Sequence, residues 1–156
     1  MFDSFSSESQ KIFFSNSIKR EDKVEYSEIE QKLLSEGYSV LDVVKDFFTL
    51  CAYRYIRFPI DLDKNIYKEL IVNPIEDADS ADRLDLIEAF NLDLCPIAYL
   101  DWGANVFIDK NERLYLFEDC ELYKFGNDLI SGIEEIFKGK NGMLHIKFRK
   151  KPIPKR

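Results

Sequence analysis

Between Leu94 and Phe117 the chain reads LCPIAYLDWGANVFIDKNERLYLF. Ala104, Val106 and Ile108 recur at every second position, and so do Leu114 and Leu116 after the polar stretch DKNER. Side chains alternate across a strand with a period of two, so two such runs around a short polar segment predict a hairpin. A helix across Val106 to Phe117 is thereby excluded, and the fold must contain a sheet. The same stretch also opens like a calcium loop, with Asp109 and Asn111 two apart. It then departs from one: Arg113 stands where a third ligand belongs and Leu114 where a glycine belongs.

The residues before this hairpin predict helices. Ser7 with Gln10, Ser27 with Glu30, and more weakly Ser39 with Asp42 have the spacing of capping boxes, and Gly37 is a natural stop. Val43, Val44, Phe47, Phe48, Cys51 and Tyr55 fall on one helical stripe, and Pro59 is expected to end the helical region. YKELIVNP then reads as a strand, with Leu70 and Val72 on one face. EDADSADRLDLIEAF reads as an acidic turn feeding a short helix capped by Asp79 or Ser80. After the hairpin, DCELYKF is a strand and NDLISGIEEIFKGK a helix, capped by Asn127 and stopped by Gly139. Asn141-Gly142 signals a turn, MLHIKF a last strand, and RKKPIPKR a loose tail. The expected fold class is α+β: N-terminal helices packed on a central, mostly antiparallel sheet with a C-terminal helix. No repeat or linker divides the chain, so residues 1–156 are expected to form one domain, with 139–156 as a basic strand and tail.

Charge separates the function classes. The formal net charge is −7, but the first 137 positions hold 14 basic against 29 acidic residues. Such an acidic body disfavours nucleic acid, whose binding rests on neutralising phosphates, and favours a basic partner or a merely solubilising surface. No run of eighteen apolar residues predicts a membrane helix, and MFDSFSSESQ lacks the basic and apolar regions of a secretion signal. Cys51, Cys95 and Cys120 are odd in number and far apart, which predicts reduced thiols in the cytoplasm, with neither a disulfide framework nor a zinc site.

Candidate chemistry is sparse. Asp77, Asp79 and Asp82 could gather around a cation, although acids at a helix start also suit the helix dipole. His145, the only histidine, could reach Cys95 or Cys120, but reads more simply as a solvated strand residue. The chain has no G-x-S-x-G, P-loop or H-E-x-x-H motif. A pair of catalytic carboxylates is conceivable in so acidic a chain, yet nothing singles one out. Trp102, between Asp101 and Gly103, belongs near a strand end, in the core by default and on a contact surface as the alternative. No catalytic residue, cofactor or metal is therefore expected.

The order of elements resembles bacterial immunity proteins of the SUKH superfamily, most of all its third family. The resemblance lies in Leu94, Pro96 and Ile97, then Ile108, Asp109, Leu114 and Tyr115 of the hairpin, then Gly139 closing the last helix. SESQKIFFSN resembles the family's first helix, EYSEIEQKLLSEGYSVLDVVKDFF the next two, and YIRFPI the start of its sheet, so similarity spans roughly residues 5 to 139. Ala98 stands where the family has glycine, Glu112 replaces its turn glycine, and Ser15 to Ser17 stand where it has G-W. The resemblance implies a non-enzymatic protein that binds and neutralises a cognate secreted toxin, often a nuclease. The alternative is a regulatory or interaction module of the same fold with no toxin partner. The monomer or dimer state is left open.

Charge suggests where such a partner would sit. Residues 61–94 hold ten acidic and three basic residues. The expected toxin-binding surface comprises Glu76, Asp77, Asp79, Asp82, Asp85 and Glu88, together with Asp101, Trp102, Glu118, Asp119 and Glu121.

Overall fold

The computed structural model describes residues 1–78, 80–139 and 146–148, without the side chains of 80–82 and 146–148. A 3₁₀ turn at Phe2–Ser4 precedes α1 (Ser7–Ser15), α2 (Ser27–Ser35) and α3 (Asp42–Cys51). The hairpin β1 (Arg54–Asp61) and β2 (Ile66–Val72) leads to α4 (Pro74–Asp77) and α5 (Ser80–Phe90). Then follow β3 (Cys95–Leu100), β4 (Ala104–Ile108), β5 (Leu114–Glu118), β6 (Glu121–Gly126), α6 (Leu129–Phe137) and β7 (Ile146–Phe148). The class is α+β, as expected, and the period-two reading of Val106 to Phe117 corresponds to β4 and β5, paired Val106 with Leu116 and Ile108 with Leu114.

The strands lie side by side in chain order, β1 to β7, each antiparallel to its neighbours. One face of this meander is the main core. Ile56, Phe58, Leu70, Val72, Leu100, Val106, Ile108 and Leu116 pack there against Phe13, Leu33, Phe47, Phe48, Ile133 and Ile136 of the helices. A bulge between Pro96 and Ala98 adds Ile97 to the same core. α5 lies on the opposite face. Its Leu86 and Phe90 cover Phe107, Tyr115 and Leu122, with Phe117 partly buried beside them. The chain therefore wraps the sheet, with α4 on the main-core side and α5 behind β4 to β6.

Several boundaries differ from the sequence reading. Pro59 does not end a helix: α3 stops at Cys51, and Pro59 lies inside β1. Tyr55 consequently leaves the helical stripe and is 64% exposed on a strand. A proline is tolerated there because β1 is an edge strand, where the missing N–H breaks no ladder bond. The edge is covered one step earlier. The Asn16 side-chain amide donates to Arg57 O and accepts from Arg57 N, both at 2.8 Å. The caps also move. Ser6, not Ser7, accepts from the Ser9 N–H at the start of α1, and Asp128, not Asn127, forms a capping box with Ser131 on α6. Ser27 and Ser39 cap nothing. The Ser27 N–H is taken by the Glu25 carboxylate, and α3 starts after Leu41 without a side-chain cap. Gly37 (φ +86°) and Gly139 (φ +79°) do end their segments, in the left-handed region that glycine enters without strain. α4 was not anticipated, although Asn73-Pro74 carries its signal: an Asn cap accepting from Glu76 N and a proline in the first turn. Asp79, the Asn141-Gly142 turn, His145 and the 149–156 tail lie outside the described residues; Ile146 to Phe148 of MLHIKF form β7.

Candidate functional site

The antiparallel order sorts the sequence-predicted surface into two groups. β3 ends and β4 begins at the same end of the sheet where β5 passes to β6. Asp101 and Trp102 are in the first turn, with Glu118, Asp119 and Glu121 at the second. Two strand spacings separate these turns, about 10 Å. The first turn needs Gly103, whose φ of +99° suits the residue closing a three-residue loop and whose N–H donates to Leu100 O. In the second, Asp119 and Cys120 both have positive φ, as a two-residue type I′ hairpin requires. Asp101 and Asp119 are exposed, and Glu118 and Glu121 are half-buried. Glu121 accepts a hydrogen bond from the Tyr123 hydroxyl. Trp102 is half-buried, packed on the main core with the Lys68 ammonium 5.9 Å from its ring. It is thus partly a core residue and partly surface.

The second group lies on α4 and α5. Glu76, Asp85 and Glu88 are exposed. Asp77 is not: it is half-buried, one of its oxygens is buried without a hydrogen-bond partner, and burial pushes its carboxyl up to about 6. Asp82 belongs to α5, but its side chain, like all of Asp79, lies outside the described residues. α4 thus packs with the main core and α5 on the reverse face of the sheet.

Asp109 has a structural task. Its side chain is only 5% exposed. One oxygen accepts from the Asn111 and Arg113 N–H groups, at 2.8 and 3.0 Å, and the other from Arg113 Nε at 2.8 Å and the Tyr115 hydroxyl at 2.9 Å. Burial by itself would raise its pKa, but the four hydrogen bonds to the charged form outweigh it and hold the carboxyl below its usual value. Tyr115 is pushed up to about 12, by burial first and then by Asp109. What looks in sequence like the start of a calcium loop is a closed turn with its carboxylate fully used. Glu112, in the place of the family's turn glycine, takes φ +64° there.

Two of the three cysteines lie in the core. Cys51 and Cys95 are buried and their thiols are raised by that burial, Cys95 to about 12, so neither offers a thiolate near neutrality. Cys120 is exposed on the type I′ turn. Among the described residues no three His, Cys, Asp or Glu side chains gather in a way that could hold a metal ion, and no helix is long and apolar enough to cross a membrane.

Comparison with curated proteins and with solved structures gives no match. Comparison with protein-family models matches the SUKH-3 immunity protein family over residues 18–139, which takes in everything from the end of α1 to the close of α6. The chain belongs to the SUKH-3 immunity protein family, whose role is immunity through a protein toxin partner and whose members are generally not enzymes.

Proposed function

We propose that this protein acts in the bacterial cytoplasm, where it binds and blocks the toxic domain of a cognate secreted polymorphic toxin, of nuclease type, in contact-dependent competition. Family membership over residues 18–139 carries this reading. The charge balance supports the finer part. A domain that grips nucleic acid is basic, and an acidic partner draws it in by long-range attraction while a few central contacts set affinity. In this reading Asp85 and Glu88 on α5, with Asp101, Glu118, Asp119 and Glu121 at the sheet end, supply the acidic rim. Glu76, Asp77, Asp79, Asp82 and Trp102 complete the proposed surface.

The test is binding kinetics against the C-terminal domain of the secreted protein encoded beside this chain. Asp85→Lys with Asp101→Lys is expected to slow association and flatten its dependence on salt, with dissociation little changed. Association and salt dependence equal to the parent's in a folded variant would remove the acidic rim from the account. Trp102→Ala is expected to lower stability as well as affinity, because the ring is packed on the core.

A further inference from the structure

At the end of the sheet away from the Asp101 and Asp119 turns, three loops converge on a cleft of about 420 Å³. They are the α2–α3 loop at Tyr38 to Leu41, the α5–β3 loop at Asn91 to Asp93, and the β4–β5 turn at Asp109 to Arg113. The size falls in the range of sites that take a ligand group, about 300–1,000 Å³. It exceeds what a lone carboxylate fills.

The polar groups around it are unequally committed. Both acids in the lining have their oxygens occupied. Asp93 is held bidentately by Arg83 at 2.9 Å through each oxygen, and the Arg83 guanidinium in turn lies 5.8 Å from the Tyr38 ring centre. Asp109 accepts its four hydrogen bonds within the turn. The cations are not matched in the same way. Arg113 uses only Nε on Asp109, leaving its two terminal nitrogens without an acceptor among the described residues. Lys110 is exposed and has no ion pair among them, and the Asn111 side-chain amide is likewise uncommitted. Leu41, Leu92 and Ile108 supply apolar lining. Both carboxylates here are paired while the Arg113 terminal nitrogens and the Lys110 ammonium are spare donors, so the group that complements them is an acceptor with negative charge. Arg113 is also pre-positioned, since Asp109 fixes its stem without consuming its fork.

We propose that this cleft is a socket for a carboxylate side chain, an aspartate or glutamate carried on a loop of the bound toxin domain, with Arg113 and Lys110 as its cationic contacts. The proposal rests on the immunity reading. It adds a contact of opposite sign to the acidic rim. General acidity attracts any basic protein; a cleft with spare cationic donors in an acidic surface selects the one that places a carboxylate at that point and fixes its register. α5, which carries Asp85 and Glu88, runs directly into the cleft wall at Asn91, so rim and socket share one border.

Dissociation from the toxin domain encoded beside this chain tests the socket, using Lys110→Glu, which reverses an exposed charge, and Ser39→Trp, which fills the cleft from an exposed position. Each is expected to raise the dissociation rate roughly tenfold or more at unchanged unfolding temperature. Dissociation within about twofold of the parent's for both variants overturns the proposal. So does the finding that inorganic phosphate shifts the Asn91 and Asn111 amide resonances of the free protein while both variants keep parental toxin kinetics; the cleft is then a small-anion site. A parent chain that does not bind the domain at all defeats the immunity reading and the socket with it.

Discussion

Two of the non-glycine residues at positive φ sit in the hairpin turns that flank β5. Glu112 takes φ +64° in the β4–β5 turn and Cys120 φ +62° in the β5–β6 turn, where a side chain pays for the left-handed region. Glu112→Gly and Cys120→Gly are each expected to stabilise the fold by up to about 1 kcal/mol, the relief of strain exceeding the entropy cost of glycine. Denaturant midpoints measure this; a loss of stability in both would mean that the turns do not have this geometry. The resemblance exposed the first position, since Glu112 sits where the family keeps glycine. The role of Asp109 was hidden, because sequence shows spacing and not which N–H groups a buried carboxylate reaches. Asp77 was likewise read as surface charge, and only packing shows it half-buried. Its folded pKa of about 6 lies above the ordinary carboxylate value of 3.8. The folded state therefore holds the proton more tightly, and the stability this confers is present below pH 3.8 and lost as pH rises through 6. Asp77→Asn is expected to raise stability at pH 8 by about 1 kcal/mol, after allowance for its partial exposure, and by about half as much at pH 5. Asp109, held below its usual value, works in the opposite direction: its contribution is present above the unfolded pKa and fades as pH falls through the folded one.

At the scale of elements, period and turn chemistry made the meander legible from β2 onward and the family resemblance placed YIRFPI at the start of the sheet, where β1 lies, whereas period alone misread the α3–β1 junction. Apolar residues from Val43 to Tyr55 keep a helical spacing across a boundary set by Tyr53, whose φ is +62° and whose N–H donates to Val72 O in β2. Such a boundary depends on a partner about twenty residues away, beyond the reach of local pattern. The protection of the β1 edge was equally invisible: Asn16, read as part of a departure from the family, doubles as the partner of Arg57, and Pro59 offers no N–H. α6 was identified by its apolar stripe, but not the reason for Gly132. A Cβ there would lie 2.5 Å from Leu114 Cδ2, and one on Gly126 would lie 2.7 Å from Gly132 Cα, so the helix rests on β5 and β6 almost backbone to backbone. Gly132→Ala is therefore expected to destabilise by about 1–3 kcal/mol although alanine favours helices by about 1 kcal/mol. An unchanged or higher melting temperature would show that α6 can shift away without cost.

For the whole molecule, the sheet is clad on its main face by α1 to α4 and α6 and on part of its reverse by α5, and the acids of the proposed rim are divided between α5 and one sheet end. Composition showed the excess of acid but not its division, because charge runs in sequence carry no record of which face a helix takes. The family match supplies what the residues alone do not, a protein toxin as partner. The most direct measurement is a paired one: the adjacent toxin domain is expressed in a susceptible bacterium with and without this protein, and complex formation is measured with the purified pair. The account predicts restored growth and a stable complex whose formation slows as salt increases. Continued toxicity with the folded protein present, and no complex at low salt, would contradict it.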